Sequence, residues 1–212
     1  MLLLVEKPIG PTSFWVIKKL KRIFFTRKAG HAGTLDPLAS GLLIIATDAD
    51  TKKLSQFVWL DKVYETTIDL AQRSDTRDTQ FRSYHEQLPF TTSTVMIDAI
   101  EHPIPTLEQV VDVVQSLIGT HAFPLTPFSA KKRKGKKLYT YAREWNPVHI
   151  DMVMEVFRAE VLSYTFPEVR IRFHVGSGTY IRSLAHVIGN KLGMGGIVTQ
   201  LHRSAIGKYA LT

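Results

Sequence analysis

Cysteine is absent from the 212-residue chain, so disulfide bonds and thiolate metal sites are excluded. Long hydrophobic runs are absent too, since the longest, residues 41–46, is far too short to span a bilayer. The first residues lack a basic leader and soon reach a glutamate and a proline, so they predict a β-strand and not a signal peptide. We therefore expect a cytoplasmic protein that does not bind membranes.

Motifs for metals and cofactors are missing as well. The eight histidines show no metal-binding pairing, and the chain has no Walker loop and no Gly-x-Ser-x-Gly elbow. The segment Asp75-Thr76-Arg77-Asp78 has two carboxylates that could bind Mg²⁺, but the arginine between them favours ion pairing. The sequence therefore predicts neither a metal nor a cofactor.

Positive charge is concentrated in one segment. The net charge is +8, from 27 basic and 19 acidic residues, and six of the basic ones lie in residues 131–137. Such a segment favours a polyanion, because phosphate binding releases counterions; a solvated loop or a membrane-surface patch is the alternative. Tyr139 and Tyr141 follow, and rings beside cations suit nucleic acid, although both could also be packing residues. The candidate RNA-backbone contacts are Lys131, Lys132, Arg133, Lys134, Lys136, Lys137 and Arg143.

Apolar periodicity indicates a mixed sequence of helices and strands. Helices are predicted at 13–25, 50–59, 107–118 and 137–145, and from Gly178 to Gly193. The third begins with a capping box at Thr106 and Gln109, and the basic segment before the fourth is predicted to be a loop. Strands are predicted at 2–6, 41–46, 62–70, 153–164, 168–175, 197–202 and 206–211, whereas 71–105 gives no clear pattern. Strict βαβ alternation is missing, so we predict an α+β fold, a mixed sheet with helices on it, in a single domain over residues 1–212.

The loop at residues 30–41 is the first candidate for chemistry. Its three glycines permit tight backbone paths. Pro37 restricts its own φ and the backbone conformation of Asp36. A carboxylate on a stiffened loop at the start of a buried strand is well placed to act as a nucleophile or base. From the residues alone, the alternative of a structural turn with Asp36 as an Asx-type cap is favoured.

The second candidate is the turn at residues 176–178, which enters a helix carrying Arg182. Backbone N–H groups there could bind phosphate, and an arginine fork could bind a carboxylate or phosphate. Ile181 stands where the dinucleotide-binding motif needs its third glycine, so that motif is excluded. An ordinary tight turn with a surface arginine is the alternative.

Five ordered segments together resemble the TruB family of pseudouridine synthases. They are Val5-Glu6-Lys7-Pro8, the loop Gly30-His31 through Gly41, Lys62-x-Tyr64 with Gln72-Arg73-Ser74-Asp75-Thr76-x-Asp78, Ser129-Ala130 with Tyr139 and Arg143, and Gly178-Thr179-Tyr180-Ile181-Arg182 with Leu201-x-Arg203. The resemblance implies a pseudouridine synthase fold with a mainly antiparallel sheet, flanking helices and a catalytic cleft. It also implies that Asp36 is catalytic, whereas the residues alone favour a structural cap.

The implied reaction is the isomerisation of a uridine to pseudouridine without any cofactor, in a base that has flipped out of its stack. By resemblance, Asp36 is the catalytic group, and Arg182 pairs with it and orients it. Tyr64 packs on the flipped base and assists deprotonation. The remaining substrate contacts implied are Tyr180, which lines the pocket, Leu201, which forms an apolar wall, and His31, which stacks on displaced RNA bases.

The implied substrate is the T-loop of tRNA, at uridine 55, bound through the T-arm by a monomer. Many relatives continue into an RNA-binding PUA domain, which we do not expect in these 212 residues. An inactive RNA-binding or tRNA-folding module and a guide-RNA-dependent subunit are the alternatives. The sequence departs from the family pattern at Asp48, Ala71, Gln80 and His202, and these departures concern loop geometry and RNA affinity more than chemistry.

Overall fold

Strands make up most of the regular secondary structure in the described residues. The computed structural model describes residues 1–74, 76–79, 103–129, 131–144 and 148–211. The strands in these ranges are β1 (Leu2–Lys7), β2 (Ala29–His31), β3 (Ala39–Thr47), β4 (Lys62–Asp69), β5 (Gly119–Pro124), β6 (Lys132–Arg133), β7 (Lys136–Lys137), β8 (Asp151–Thr165), β9 (Glu168–Val175), β10 (Ile197–Ile206) and β11 (Tyr209–Ala210). The helices are α1 (Ser13–Ile23), a 3-10 helix (Asp48–Leu54), α2 (Ser55–Val58), α3 (Leu107–Gln115), α4 (Leu138–Arg143) and α5 (Ile181–Lys191).

One large sheet runs in the order β1-β3-β10-β4-β9-β8-β5, with β2 added to β3 and β11 added to β10. The pair β3 and β10 is parallel, and the other pairs given for the described strands are antiparallel. Helices α3 and α5 pack on this sheet. The prediction of an α+β fold with a mixed, mainly antiparallel sheet is therefore confirmed.

The core follows from the apolar pattern of the strands. In β9 the side chains of Val169, Ile171, Phe173 and Val175 are fully buried while their neighbours face outwards, as the two-residue period of a strand requires. In β3 the residues from Leu42 to Ala46 are all buried, because this strand lies inside the sheet with apolar residues on both faces. The catalytic-loop candidate ends directly in this rigid strand.

Several boundaries differ from those predicted. The first predicted terminal strand is longer than expected, because β10 pairs with β4 as far as Ile206 apart from two register shifts, and the second is the two-residue β11. The basic segment is a β-hairpin and not a loop, since β6 and β7 pair across Lys134 and Gly135, which both have positive φ. Most of the unclear segment 71–105 lies outside the described residues.

Three of the departures from the family pattern have local explanations. Asp48 adopts a left-handed φ of 50°, which Asp tolerates, and its carboxylate accepts a hydrogen bond from Thr26. The backbone N–H of Ala71 donates to Asp69 at 2.8 Å, and His202 Nδ1 is hydrogen-bonded to a serine hydroxyl at 2.9 Å. Gln80 lies outside the described residues. Each of these three residues therefore makes a hydrogen bond within the described structure.

Candidate active site

The loop that carries Asp36 is held in place on both sides of that residue. The Ser13 hydroxyl donates to the carbonyl of Leu35 at 3.0 Å and accepts from its N–H at 2.9 Å, so α1 fixes the residue before Asp36. The N–H of Gly10 donates to the carbonyl of Pro37 at 2.8 Å and fixes the residue after it. The Asp36 side chain is thereby presented from a stiff backbone.

A buried lysine lies beneath the same loop. Lys7 has no exposed surface, and its Nζ donates to the carbonyls of Pro8 at 2.9 Å, Pro11 at 2.9 Å and Pro37 at 3.4 Å. Burial lowers the pKa of Lys7, and the nearby Asp36 carboxylate opposes that shift. Lys7 thus connects the turn after β1 to the candidate catalytic loop.

The Asp36 carboxylate pairs with a buried guanidinium. Arg182 Nη2 lies 2.9 Å from Asp36 Oδ2, and Arg182 Nη1 lies 3.1 Å from Oδ2 of Asp78. The side chain of Arg182 is 6% exposed and that of Asp36 is 34% exposed. Burial acts to lower the pKa of Arg182, but attraction to Asp36 and Asp78 outweighs it and raises that pKa. Arg182 is therefore a permanent cation that orients a partly accessible carboxylate.

A cavity of about 490 Å³ opens beside this pair. Its size is that of a small-molecule site. Its wall includes parts of the candidate catalytic loop, β4, the basic hairpin, the start of α5 and β10. The lining residues are Gly33, Thr34, Leu35, Asp36, Lys62, Tyr64, Lys131, Lys132, Gly178, Thr179, Tyr180, Ile181, Arg182, Leu201 and Arg203. Segments far apart in sequence thus converge on Asp36.

Most of the predicted substrate residues share this cavity. Tyr64 and Leu201 are buried in its wall, at 8% and 7% exposure. Tyr180 immediately precedes α5, and burial, followed by the charge of Asp36, raises the pKa of its phenol. Two aromatic rings and an apolar side chain therefore surround the carboxylate, which suits a flat heterocyclic ligand.

His31 takes a different position. It lies in β2 opposite Ile45, and it is missing from the described residues that line the cavity. Burial, and then the charge of Arg203, lowers the pKa of His31, so its ring is neutral at pH 7. A neutral ring is suited to stacking, which remains a prediction.

The basic hairpin reaches the cavity with its first two lysines, Lys131 and Lys132. The next two candidate contacts, Arg133 and Lys134, are exposed at and beside the hairpin turn. The last two stand over tyrosine rings, Lys136 at 4.8 Å from the Tyr141 centroid and Lys137 at 5.3 Å from that of Tyr139, and Lys136 is also ion-paired with Glu144. The side chain of Arg143 lies outside the described part of the chain.

Arg203 is a site residue to which the sequence analysis assigned no role. The residue is 1% exposed, and Nη1 donates to the Tyr64 hydroxyl at 3.4 Å while Nη2 donates to the carbonyl of Gly33 at 3.1 Å. Nε donates to the carbonyl of Leu42 at 2.8 Å. The place of Arg203 beside the pocket could have been predicted, because residues two apart on a strand share a face and Leu201 was already assigned to the pocket.

Lys62 is a second such residue. Its side chain is 5% exposed, and Nζ donates to the carbonyls of Val58 and Leu60 and to the Ser177 hydroxyl. Burial, and then the charge of Arg203, lowers the pKa of Lys62 to about 8. It joins the start of β4 to the turn before α5, and the sequence named it only as part of a motif.

Among the described residues, no cluster of three or more His, Asp or Glu side chains is arranged to hold a metal ion. Asp78 forms an ion pair with Arg182, and Asp75 lies outside the described residues. No described helix is both long and apolar enough to cross a membrane. The site has a carboxylate with a fixed arginine beside an aromatic-walled cavity, an arrangement suited to nucleophilic or acid–base chemistry on a planar ligand.

Comparisons with known proteins agree with this description. A family model described as TruB family pseudouridylate synthase (N terminal domain) matches residues 21–181. The tRNA pseudouridine synthase B of Chloroherpeton thalassium is 34% identical over 216 residues, which cover 99% of this chain and 84% of the relative. That of Oleidesulfovibrio alaskensis is 38% identical and covers 99% and 64%, respectively.

Solved structures give the same result. A chain in the crystal structure of a Cbf5-Nop10-Gar1 complex matches with a TM-score of 0.71 at 26% identity, over all of this chain and 50% of the other. A chain in an H/ACA RNP bound to a substrate RNA containing 2'-deoxyuridine matches with a TM-score of 0.69 at 25% identity, over 100% and 49%. This chain belongs to the TruB family of pseudouridylate synthases.

Proposed function

We propose that this protein converts uridine to pseudouridine at position 55 of the tRNA T-loop, with Asp36 as the catalytic residue. The observation that carries the proposal is the 2.9 Å pair between buried Arg182 and partly exposed Asp36, in one cavity with Tyr64. The curated relatives are named as tRNA pseudouridine synthases, which supports tRNA as the substrate. The protein acts as a monomer in the cytoplasm.

The reaction needs no group beyond the substrate itself. The bond between ribose C1′ and uracil N1 breaks, a bond between C1′ and C5 forms, and the proton lost from C5 is matched by one gained at N1. Atoms and electrons therefore balance without a cofactor. A carboxylate fixed by an arginine can act on the nucleotide, while Tyr64 packs on the base and assists the loss of the C5 proton.

The substrate base must leave its stack before it can reach Asp36. Unstacking costs about a few kcal/mol, which contacts inside the cavity must offset. Tyr64, Tyr180 and Leu201 provide apolar and aromatic surface for this, and Lys131 and Lys132 provide cations at the cavity wall for the phosphates beside the flipped nucleotide. His31 stacks on bases displaced together with the target.

The test is formation of pseudouridine in an unmodified tRNA transcript by the isolated protein. We expect product at the T-loop uridine with wild type and none with Asp36→Asn, which keeps the shape and removes the negative charge. Asp112→Asn, at an exposed position in α3, is the matched control and should react like wild type. Equal product from wild type and Asp36→Asn would falsify the assignment of Asp36.

Two further reactions separate the remaining possibilities. A transcript with cytidine at the T-loop position should yield no product. Pseudouridine at another position would show that the target is a different uridine. Reaction of the isolated protein with bare tRNA, without a guide RNA, distinguishes this proposal from a guide-dependent subunit. Binding of tRNA without any product would instead identify an inactive RNA-binding module.

A further inference from the structure

Helix α1 presents aromatic and basic side chains to solvent beside the active site. Phe14 is 63% exposed and Trp15 is 48% exposed. Phe25, which follows the helix, is 95% exposed. We call this the α1 surface and define it by Phe14, Trp15, Lys18, Lys19, Arg22 and Phe25.

The helical residues of the α1 surface form one continuous face. Positions 14, 15, 18, 19 and 22 recur at spacings of one, three and four residues, which bring them to the same side of an α-helix. The opposite side carries the buried residues Ser13, Val16 and Ile17. The helix is therefore anchored by its apolar face, and its aromatic and basic face has no role in the core.

The rings and cations of this surface are paired. Lys18 Nζ stands 5.1 Å from the centre of the Phe14 ring, and Lys19 Nζ stands 5.0 Å from that of Trp15. Aromatic rings next to cations form surfaces that take bases on the rings and phosphates on the charges. Clustered exposed aromatic side chains are uncommon in a protein that has no partner for them.

Negative charge is excluded from this part of the chain. No aspartate or glutamate occurs between Lys7 and Leu35, a stretch that contains six lysines and arginines. A protein partner with an apolar surface would have to bury Lys18, Lys19 and Arg22 without counter-charges, which is costly. A polyanion with accessible bases satisfies both the cations and the rings.

Phe25 adds an independent observation. Its φ is 49°, in the left-handed region where bulky residues are rare and glycine is favoured. Its ring is almost fully exposed, so contacts within the protein do not account for a phenylalanine at this position. A strained and solvent-exposed aromatic residue points to a function outside the fold.

The α1 surface is connected to the catalytic loop at two points. Ser13, which precedes Phe14, holds Leu35 through the two hydrogen bonds described above, and Leu35 lines the cavity. The chain also continues from Phe25 into β2 and then directly into the loop. RNA that delivers a nucleotide to Asp36 therefore passes close to the start of α1.

We infer that the α1 surface is a second RNA-binding site, which holds unpaired nucleotides of the substrate RNA outside the catalytic cavity. The inference rests on the proposed function for the identity of its ligand as RNA. Phe14, Trp15 and Phe25 stack on bases, and Lys18, Lys19 and Arg22 bind the phosphates between them. This site adds to the contacts made by the cavity and the basic hairpin.

The test measures the Kd of an unmodified tRNA transcript for three variants. Phe14→Ala with Trp15→Ala, and Phe25→Gly, should each raise Kd by about tenfold, as expected for a lost base–ring stack. Replacing Lys18, Lys19 and Arg22 by Gln should make tRNA binding less sensitive to salt. The negative slope of the logarithm of the binding constant against log salt concentration should decrease in magnitude by about two. Phe157→Ala and Arg158→Gln are matched exposed positions on β8, across the sheet, and should change neither quantity.

Phe25→Gly distinguishes a binding role from a structural one. Glycine accepts the left-handed conformation without strain, so this variant should keep or raise Tm while it weakens binding. Unchanged Kd for all three variants overturns the inference. A change in self-association, or in binding to anionic lipid vesicles, at constant tRNA Kd also overturns it and identifies a second copy or a membrane as the partner.

The same proteins report on the proposed function separately. If wild type forms pseudouridine in the transcript and the α1 variants bind it as tightly as wild type, only the α1 inference fails. If wild type forms no pseudouridine while the α1 variants lose tRNA affinity, the proposed reaction fails and the binding surface stands.

Discussion

Gly41 in β3 lies against the backbone of Arg203 in the parallel strand β10. A Cβ on Gly41 would stand 2.3 Å from the carbonyl oxygen and 2.7 Å from the nitrogen of Arg203, closer than real Cβ contacts allow. The two residues are register partners, and Gly41 has a φ of +108°. The loop that carries Asp36 and the strand that carries Arg203 are therefore joined at a position that accepts only glycine.

Replacement of Gly41 by alanine is expected to lower the free energy of unfolding by about 2–4 kcal/mol, because both the backbone conformation and the contact with Arg203 are violated. Urea denaturation measures this. Gly10→Ala is the matched control, since Gly10 has the same φ of +108° and open space around its Cβ position. It should lose only about 1–2 kcal/mol, which is the cost of the left-handed conformation alone. Equal losses would show that the contact with Arg203 does not matter.

Arg203 is expected to act on the reaction through Tyr64. Arg203→Lys keeps the charge but loses the fork that reaches the Tyr64 hydroxyl and Gly33, so the single-turnover rate should fall by about tenfold or more. In a Tyr64→Phe background the same change should have a clearly smaller effect, because the hydroxyl that it positions is already gone. Additive effects of the two changes would refute this coupling, and Tm measurements identify any loss through unfolding.

The basic hairpin is expected to bind RNA phosphates. Neutralising Lys131, Lys132, Arg133 and Lys134 together should weaken tRNA binding and reduce its salt slope by about three, since each phosphate contact contributes about 0.7–0.9. Lys52→Gln with Lys53→Gln, on the exposed 3-10 helix, controls for the loss of general positive charge. A salt slope equal to that of wild type would show that the hairpin does not contact phosphate.

His186 in α5 is expected to make stability depend on pH. Burial, followed by the charges of Arg77 and Arg73, lowers its pKa from 6.5 to about 4. Between these values the unfolded chain binds a proton that the folded chain does not, so stability falls as pH falls. The loss between pH 7 and pH 5 should be about 1–2 kcal/mol and should disappear in His186→Gln.

Denaturation at the two pH values, compared between variant and wild type, measures the contribution of His186. His149→Gln is the control, because His149 is exposed. The same pH dependence in wild type and His186→Gln would assign the acid sensitivity to other groups.

Local features were the part of the fold that could be predicted from the sequence. The capping box at Thr106 and Gln109 is present as predicted, because both of its hydrogen bonds form within four residues. The basic segment was predicted as a loop, although Lys134 and Gly135 form the turn of a hairpin. The full length of β10 was not predicted, because it depends on pairing with β4 more than a hundred residues away.

The candidate site likewise has residues that could be predicted from the sequence and residues that could not. Asp36 was predicted to be the catalytic residue from its glycine- and proline-rich loop together with the ordered motifs of the family. The roles of Arg203 and Lys62 in joining segments could not be predicted, since Arg203 meets Tyr64 across 139 residues and Lys62 meets Ser177 across 115. Such contacts depend on the order of the strands in the sheet, which the motif pattern does not specify.

The order of the central strands has a consequence for synthesis of the protein. Strands β3 and β4 are neighbours in the order of translation, yet β10 lies between them in the sheet and supplies Leu201 and Arg203 to the cavity. A nascent chain that has made the loop of Asp36, Tyr64 and Arg182 therefore still lacks one wall of the candidate active site. If this cavity binds the uridine as proposed, we expect binding only after the last long strand has been translated and inserted, so activity would report that folding is complete.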